Sequence, residues 1–522
     1  MATQLLIHTA IALFLGSLVA AFLLVPAVQW FARKIGAVDR GGYRKVFEGA
    51  MPLLGGLAVA IPLLGLGLGT ALLGYIVFDG GQWVWVLRNY PEYLDPALDI
   101  ASHRTQCLIL AAGGAGILAL GLVDDTRGMR ARYKLAGQVA VALFVSSFGF
   151  AVSTVSLPLI GTVDLGLPLG VLLTAFWIVG LINAFNLIDG VDGLASGIAF
   201  MGAVSLVVLS VIQGNVFVTY AGAALAGGLL AFLYYNFPPA RIFLGDTGSM
   251  FLGYALAALS LAGAQKTEAA VILIAPILAL SFPIFETLVS IVRRYLRGVP
   301  IFMGDNHHTH HRLLSKGYSQ PRVVLTLYSV AFFLAASAIM AAAAPEGSLW
   351  VAASYALFCG TLVYIAWLAG YLRPTTFRRI AERRRRNRVL HSLSAYAALS
   401  LNGRGHAVDC DLLLALCRHE LGLVHLELQR EGEVRLMAST CQKHPGAARD
   451  PKERLRVKSS DDENLFILFE YETAPDDNRR NDVNACLAAI FDQLMLDRAL
   501  RAAGTPEPTE DVPVLESEAK RG

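Results

Sequence analysis

Residues 183–193 read Asn-Ala-Phe-Asn-Leu-Ile-Asp-Gly-Val-Asp-Gly, and they separate two apolar runs, 165–182 and 194–212, that contain no charged residue. Each run is long enough to cross the hydrocarbon core of a bilayer as a helix. An ionisable side chain at bilayer depth costs about 3 kcal/mol or more, so such a cluster indicates a functional site. The stretch therefore predicts two membrane helices that meet at a polar, functional junction.

The junction has the composition of a cation or phosphate site. Asp189 and Asp192 are three residues apart, which places both carboxylates on one face if the backbone is helical there. Gly190 and Gly193 allow tight turns and close approach of the backbone to a ligand. This pattern suits a divalent cation or a phosphate group.

The composition of the whole chain agrees with a membrane protein. Its 522 residues are 55% hydrophobic and only 16% charged, whereas soluble domains are about 25% charged. We predict an all-α polytopic protein with about eleven transmembrane helices and no nucleic-acid partner. The first run is too long and lacks a basic start, so residues 2–30 are interpreted as a span rather than a cleavable signal. The predicted spans are 5–30, 52–78, 105–123, 135–155, 165–185, 194–212, 216–236, 249–263, 269–291, 323–343 and 348–371.

The basic residues predict the orientation of the chain. With the N-terminus outside, the outer loops carry only Arg88, Arg104 and Lys266, and the inner loops hold the other loop lysines and arginines. Cytoplasmic loops are enriched in Lys and Arg. The prediction is N-out and C-in, in the bacterial cytoplasmic membrane, with the polar clusters on the cytoplasmic face.

The domain organisation follows from shifts in composition. Residues 1–372 form the predicted membrane domain, 373–388 an Arg-rich juxtamembrane hinge, and 504–522 a disordered tail. Segments 423–438 and 465–472 suggest strands and 482–502 a helix, so 389–503 is predicted to be a small cytoplasmic α/β accessory domain. A zinc site in this domain matches no compact ligand spacing and is disfavoured; its candidate ligands are Cys410, Cys417, His419, Cys441 and His444.

Five polar clusters lie at the predicted inner ends of the spans. They centre on Asp39 to Lys45, Asp124-Asp125, residues 183–193, residues 236–249 and residues 305–312. Each has a simpler alternative: Asp246 could be a helix N-cap, and the histidines could be an exposed loop or a transition-metal tract. The predicted location of all five clusters on one face of the membrane, however, favours a single site.

The chemistry of these clusters fits a diphosphate substrate. Mg²⁺ prefers oxygen ligands and bridges substrate phosphates through one or two carboxylates. Asp246 and Asp189, with the amide of Asn186, could supply these ligands, and His and Arg side chains could donate to phosphate oxygens. A further acid, Asp124, could orient or deprotonate an attacking phosphate.

Four of these motifs together resemble the polyprenyl-phosphate N-acetylhexosamine-1-phosphate transferases (glycosyltransferase family 4), in the WecA/TagO-like branch. The resemblance covers about residues 30–325. The His-x-His-His form is typical of that branch, whereas the MraY branch shows three consecutive histidines followed by an acid. The motifs are Gly121-Leu-Val-Asp-Asp125, the run from Asn183 to Gly197, Phe243-Leu-Gly-Asp-Thr-Gly-Ser249 and His308-Thr-His-His311.

The resemblance implies transfer of a sugar 1-phosphate from a UDP-sugar, by default UDP-GlcNAc, to undecaprenyl phosphate, with release of UMP. This would be the first membrane step of a cell-surface polysaccharide. The implied cofactor is Mg²⁺, with Mn²⁺ as the alternative, held by Asp246, Asn186 and Asp189. The implied catalytic residues are Asp124, Asp125 and Asp189. The implied substrate-binding residues are Asp39, Lys45, Asp192, Asn236, Asp305, His308, His310 and His311.

Two features depart from the family pattern, and several alternatives stay open. Phe47 stands where relatives often have a histidine, and His307 is an additional histidine. Another UDP-sugar fits the same motifs, and the chain could pair with later glycosyltransferases or form a homodimer. A transporter is disfavoured because the polar breaks cluster at one interface and no repeats occur. A sensor acting through the tail would make the inner acids incidental.

Overall fold

The computed structural model describes the helical part of the chain and four strands of its C-terminal part. The described residues are 2–39, 50–79, 103–152, 154–157, 161–264, 276–297, 308–345, 347–371, 423–430, 433–439, 454–458 and 465–471. The chain divides into two compact units. The first comprises Met1–Arg293 with Ile301–Arg373, and the second Arg294–Pro300 with Pro374–Gly522.

Helices, most of them long and apolar, build the first unit; of those described, only the one that begins at Ser281 continues past Arg293, the end of that segment of the unit. In chain order they are α1 (Ala2–Ile35), α2 (Gly56–Asp79), α3 (Arg104–Arg127), α4 (Ala131–Val145), α5 (Gly166–Ile188), α6 (Leu194–Ile212), α7 (Val216–Asn236), α8 (Gly245–Ala264), α9 (Ser281–Arg297), α10 (Thr309–Ser315), α11 (Gln320–Ala343) and α12 (Leu349–Leu368). Two short hairpins accompany them: β1 (Val38–Asp39) pairs with β2 (Met51–Pro52), and β3 (Thr154–Leu157) pairs with β4 (Gly161–Asp164).

Among the described residues, eight helices are long and apolar enough to cross a membrane. They are α1, α3, α4 with the turn that extends it to Phe150, α5, α6, α7, α11 and α12. A polytopic, mostly helical membrane protein is therefore confirmed. Predicted runs 52–78 and 249–263 coincide with α2 and α8, and run 269–291 begins outside the described residues. The total of eleven spans and the N-out orientation remain predictions.

The outer surface of the bundle is apolar. Leu23 of α1 is 69% exposed, Phe176 of α5 is 75% exposed and Trp367 of α12 is 66% exposed. Large apolar surfaces of this kind indicate contact with another apolar phase. The hydrocarbon of a bilayer supplies that phase.

Helix α8 lies at the centre of the bundle and contacts α2, α3, α5, α6 and α7. Its residues Met250, Leu252 and Leu256 are fully buried. A helix that is apolar around most of its circumference is expected to be buried in this way. The position of α8 matters for function because Asp246 lies in its first turn.

Glycines allow α2 and α3 to approach the start of α8. A Cβ atom on Gly56 of α2 would lie 2.0 Å from the Cα of Gly248, and one on Gly121 of α3 would lie 2.4 Å from the Cα of Thr247. Small residues at helix interfaces permit such backbone contact in membranes. The backbone N–H of Gly55 also donates to the carbonyl of Phe243 at 3.0 Å. The first turn of α8 is thus fixed between two neighbouring helices.

The second unit contains a four-stranded antiparallel sheet. Its strands are β5 (Leu423–Arg430), β6 (Glu433–Ser439), β7 (Arg454–Lys458) and β8 (Leu465–Tyr471), in the order β6-β5-β8-β7. The segments predicted as strands, 423–438 and 465–472, contain β5, most of β6 and β8. The predicted helix 482–502, the hinge 373–388 and the tail 504–522 lie outside the described residues.

The close contact at Gly56 leads to a test of the packing. We expect Gly56→Ala to destabilise the protein by about 1–3 kcal/mol, the usual cost of overpacking. Gly65→Ala in the same helix is the control, because no atom lies within 4 Å of the added Cβ. Thermal unfolding midpoints in detergent compare the two variants with the wild type. Equal midpoints for both variants would contradict the packing at α2 and α8.

Candidate active site

Residues from three helices converge on the ammonium group of Lys134, which lies in the first turn of a fourth, α4. Its Nζ lies 2.8 Å from Asp124 Oδ2 and 2.9 Å from Asp246 Oδ1. It also donates to Asn186 Oδ1 at 3.3 Å. The fold therefore brings together three predicted site residues, from the last turn of α3, the last turn of α5 and the first turn of α8.

Asn186 links two sides of this cluster. Its Nδ2 donates to Asp246 Oδ1 and, at 2.9 Å, to Ser249 Oγ. Its Oδ1 accepts from Lys134. Since both ends of the amide are used, the side chain is oriented by its hydrogen bonds. Asn186 thus holds Asp246 and Lys134 in a defined arrangement.

Asp125 holds the first turn of α8 in place. Its Oδ1 accepts from the backbone N–H of Asp246 at 2.8 Å, and its Oδ2 accepts from the N–H and hydroxyl of Thr247 at 2.9 and 2.6 Å. The first N–H groups of a helix lack partners within the helix, and a carboxylate near them is favoured by the helix dipole. Asp125 satisfies these groups from a different helix, and this arrangement positions Asp246.

The junction between α5 and α6 is tied to the end of α7. Asn236 is buried, and its Oδ1 accepts from Gly193 N at 3.1 Å and from Ser196 Oγ at 2.7 Å. Asp192 Oδ2 accepts from the backbone N–H of Ala240 at 3.1 Å. Gly193 has a φ of +74°, a left-handed conformation that glycine adopts without strain. These bonds fix the turn that presents Asp189.

Asp189 differs from the other acids. Within the described residues no hydrogen bond or ion pair holds its carboxyl group. Burial, and then the negative charges of Asp246, Asp125 and Asp192, raise its pKa to about 8. The cluster therefore contains more carboxylates than its one lysine can neutralise. A further cation is the natural complement of this arrangement.

The histidine motif lies beside the same junction. A Cβ atom on Gly190 would lie 2.8 Å from Nε2 of His310, so this ring faces the residue that follows Asp189. His308 and His310 are buried, and the ring centroids of His310 and His311 are 4.3 Å apart. Burial, and then the nearby His311 and His308, lower the pKa of His310 well below its usual value. Its imidazole is thus kept neutral at neutral pH.

Glu286 supports the histidine motif from α9, and the sequence reasoning missed it. The side chain is buried, and Oε2 accepts from the backbone N–H of Thr309 at 3.2 Å. The same oxygen lies 3.9 Å from His308 Nδ1. Glu286 is the only acidic residue in the apolar run 269–291, and an isolated acid in such a run is a signal of a functional residue.

The opposite side of helix α10 is attached to the end of α12. Arg312 donates to the carbonyl of Ala369 at 2.7 Å and lies over the ring of Tyr371 at 4.4 Å. The Tyr371 hydroxyl lies 3.3 Å from Thr309 Oγ1. The short helix that carries His310 and His311 is therefore held on two sides.

Lys134 was also missed, because its charge was counted only toward membrane orientation. Lys134 lies ten residues after Asp124, and a helix break separates them, so their spacing in the sequence does not predict the contact. Among the described residues, no three His, Cys, Asp or Glu side chains form a cluster that could hold a metal ion. The lysine ammonium lies among the oxygens predicted as ligands.

The remaining predicted residues are not brought to this cluster by any described contact. Asp39 lies in β1, in register with Met51 of β2. Lys45 and Asp305 lie outside the described residues, as do the candidate zinc ligands of the tail. Their predicted roles stay predictions, as do the substrate and metal roles of the other site residues.

Comparison with known proteins places these features in a family. A sequence model described as "Glycosyl transferase family 4" matches residues 107–264, which include Asp124, Lys134, Asn186, Asp189 and Asp246. A Bacillus subtilis (strain 168) protein named "Probable undecaprenyl-phosphate N-acetylglucosaminyl 1-phosphate transferase" is 36% identical over 328 residues. The alignment covers 63% of this chain and 83% of that protein.

Two other relatives carry related names. A Mycobacterium tuberculosis (strain CDC 1551 / Oshkosh) protein named "Decaprenyl-phosphate N-acetylglucosaminephosphotransferase" is 33% identical, over 60% of this chain and 78% of its own length. A Desulforudis audaxviator (strain MP104C) protein named "Phospho-N-acetylmuramoyl-pentapeptide-transferase" is 32% identical, over 51% of this chain and 83% of its own length. The resemblance found in the motifs is thereby confirmed: this chain belongs to glycosyl transferase family 4.

Proposed function

We propose that this protein transfers N-acetylglucosamine 1-phosphate from UDP-GlcNAc to undecaprenyl phosphate and releases UMP. The names of the Bacillus subtilis and Mycobacterium tuberculosis relatives support the acceptor class and the sugar. The observation that carries the proposal is the convergence of Asp124, Asn186 and Asp246 oxygens on one positive charge. Such an arrangement suits a reaction in which phosphate charge must be neutralised.

The transfer balances as a displacement at phosphorus. An oxygen of the lipid phosphate forms a bond to the β-phosphorus, the bond to the α-phosphate oxygen breaks, and UMP leaves. Asp124 is proposed to orient the lipid phosphate and accept its proton. The neutral imidazole of His310, beside Gly190, is proposed to donate a hydrogen bond to the nucleotide-sugar. A covalent enzyme intermediate is an alternative route to the same products.

We propose Mg²⁺ as the cofactor, with Mn²⁺ as the alternative. Carboxylate and amide oxygens are the ligands that these cations prefer. Asp246, Asn186 and Asp189 would hold the ion, and its positive charge would offset the negative charges that help to raise the pKa of Asp189. When bound, Mg²⁺ would supply Lewis-acid polarisation and charge neutralisation of the diphosphate.

We further propose that the site faces the cytoplasm. Asp124 and Asp246 lie at helix ends that adjoin loops with basic residues, Arg130 in one and Arg241 in the other. Basic loops mark the cytoplasmic side, where UDP-sugars are found. A site that faces the cytoplasm supports our proposal that the protein lies in the cytoplasmic membrane of a bacterial cell.

The first test removes the central carboxylates. Asp246→Asn and Asp124→Asn should each lower divalent-dependent UMP release from UDP-GlcNAc and undecaprenyl phosphate by at least about 100-fold, as loss of one transition-state contact does. Asp164→Asn in the β3–β4 hairpin is the control, since Asp164 accepts only from Gly166 among the described contacts. Near-normal turnover in both site variants would disprove the assignment. A panel of UDP-sugars with the wild type identifies the sugar.

The second test concerns Glu286, a positioning residue for the histidine motif. Glu286→Leu removes the acceptor for Thr309 N–H and should raise KM for UDP-GlcNAc about tenfold with a smaller effect on kcat, because a lost bond to a charged group costs about 1.5–3 kcal/mol. Glu286→Gln keeps an acceptor oxygen and should restore most of the affinity. A loss confined to kcat in both variants would argue against positioning of the donor site.

The third test asks whether the C-terminal part is an accessory. We expect a chain that ends at residue 388 to retain UMP release, because the described site residues all lie before residue 372. The measurement is turnover per folded protein in membranes. Complete loss of turnover in a truncated chain of normal abundance would favour a regulatory or sensory role for 389–522.

A further inference from the structure

Lys134 is coordinated as a bound cation would be. An ammonium group has three N–H donors, and three oxygens from three different helices surround this one. They are Asp124 Oδ2 at 2.8 Å, Asp246 Oδ1 at 2.9 Å and Asn186 Oδ1 at 3.3 Å. The side chains of Lys134 and Asp124 are only 15% and 9% exposed, so water contributes little to the solvation of the ammonium group.

The positive charge of the ammonium group offsets repulsion between the carboxylates around it. Asp124 and Asp246 point at the same volume, and the Asp125 carboxylate, which accepts from the N–H groups of Asp246 and Thr247, lies nearby. Like charges at such short range destabilise one another strongly when partly removed from water. Lys134 forms an ion pair with each of the two carboxylates, and these two ion pairs offset the repulsion between Asp124 and Asp246.

A divalent metal bound to the oxygen atoms that Lys134 contacts would compete with its ammonium group, because two cations at such short range repel one another. Mg²⁺ requires oxygen ligands at about 2.0–2.1 Å, within the space that Nζ occupies between Asp246, Asn186 and Asp124. The long, flexible stem of lysine allows its ammonium group to move away without a change in the helices. Metal binding at these atoms therefore requires Lys134 to leave them.

We propose that Lys134 is a resident counter-cation that keeps Asp124, Asn186 and Asp246 in place until a divalent metal replaces it. This inference rests on the proposed function only for the metal and the diphosphate substrate. The displaced ammonium group remains beside the site and binds phosphate oxygens of the nucleotide-sugar. Before the exchange, Lys134 is the cation at the carboxylates. After it, the metal and the Lys134 ammonium group both lie beside the diphosphate.

The exchange couples metal binding to substrate binding. Without the nucleotide-sugar, the metal must displace two ion pairs, and this lowers its apparent affinity. With the nucleotide-sugar present, the released ammonium group gains new partners, so the metal binds more tightly. Such coupling is reciprocal. It disfavours a site that holds the metal without the nucleotide-sugar.

Mn²⁺ binding to the purified full-length protein, measured from the electron paramagnetic resonance signal of free Mn²⁺, tests the exchange. Lys134→Met should bind Mn²⁺ at least tenfold more tightly than the wild type without nucleotide. UDP-GlcNAc should tighten Mn²⁺ binding to the wild type but not to Lys134→Met, after correction for Mn²⁺ bound by the nucleotide alone. Arg132→Met is the matched control: it removes a nearby positive charge whose described contact is only with Tyr133.

Unchanged or weaker Mn²⁺ binding by Lys134→Met would overturn the proposal, as would an equal gain in Arg132→Met. If Lys134→Met does not fold, Lys134→Gln gives the same comparison, because it removes the charge and keeps hydrogen-bond donors. Thermal unfolding is a second readout: the variant should be less stable than the wild type without metal and gain more stability from Mn²⁺. Since neither measurement involves turnover, failure of the exchange is distinguished from failure of the proposed reaction.

Discussion

The first turn of α8 must be buried and still satisfy its backbone N–H groups, and the site depends on how this is achieved. Gly56 and Gly121 bring two helices so close that little room is left for water at this turn. An unsatisfied buried N–H costs about 1–3 kcal/mol. The carboxylate of Asp125 removes this cost at Asp246 and Thr247. In doing so it aims the Asp246 side chain toward Asn186 and Lys134.

The electrostatics of the site follow from that placement. With Asp246 fixed, Asp124 and Asn186 face the same small volume, and a positive charge must occupy it. Lys134 supplies that charge in the described structure. Asp189 lies beside this volume with a raised pKa and no described partner, so the cluster has capacity for more positive charge. A site in which acidic and amide oxygens surround a cation fits a phosphate-transfer substrate that brings its own negative charge.

Sequence reasoning found the acids, and it assigned some of them roles that their contacts refine. Asp125 was predicted to be a catalytic residue and Asn236 to bind substrate, and the described bonds of both connect parts of the protein. Lys134 and Glu286 were missed for different reasons. Lysine near a span end is common, so Lys134 carried no signal of its own. Glu286 lay in a run judged by its average hydropathy, which conceals a single charged residue.

The sequence by itself determined the membrane class, most helix positions and the residues of the main motifs. It could do so because apolar runs and short motifs are local patterns. Only the tertiary structure decided that Asp124, Asn186 and Asp246 meet at Lys134, and that Glu286 holds Thr309 of the histidine motif. These contacts join residues up to 112 positions apart, Lys134 and Asp246, across helix interfaces. Their geometry depends on glycine-mediated packing distances, which no local pattern encodes.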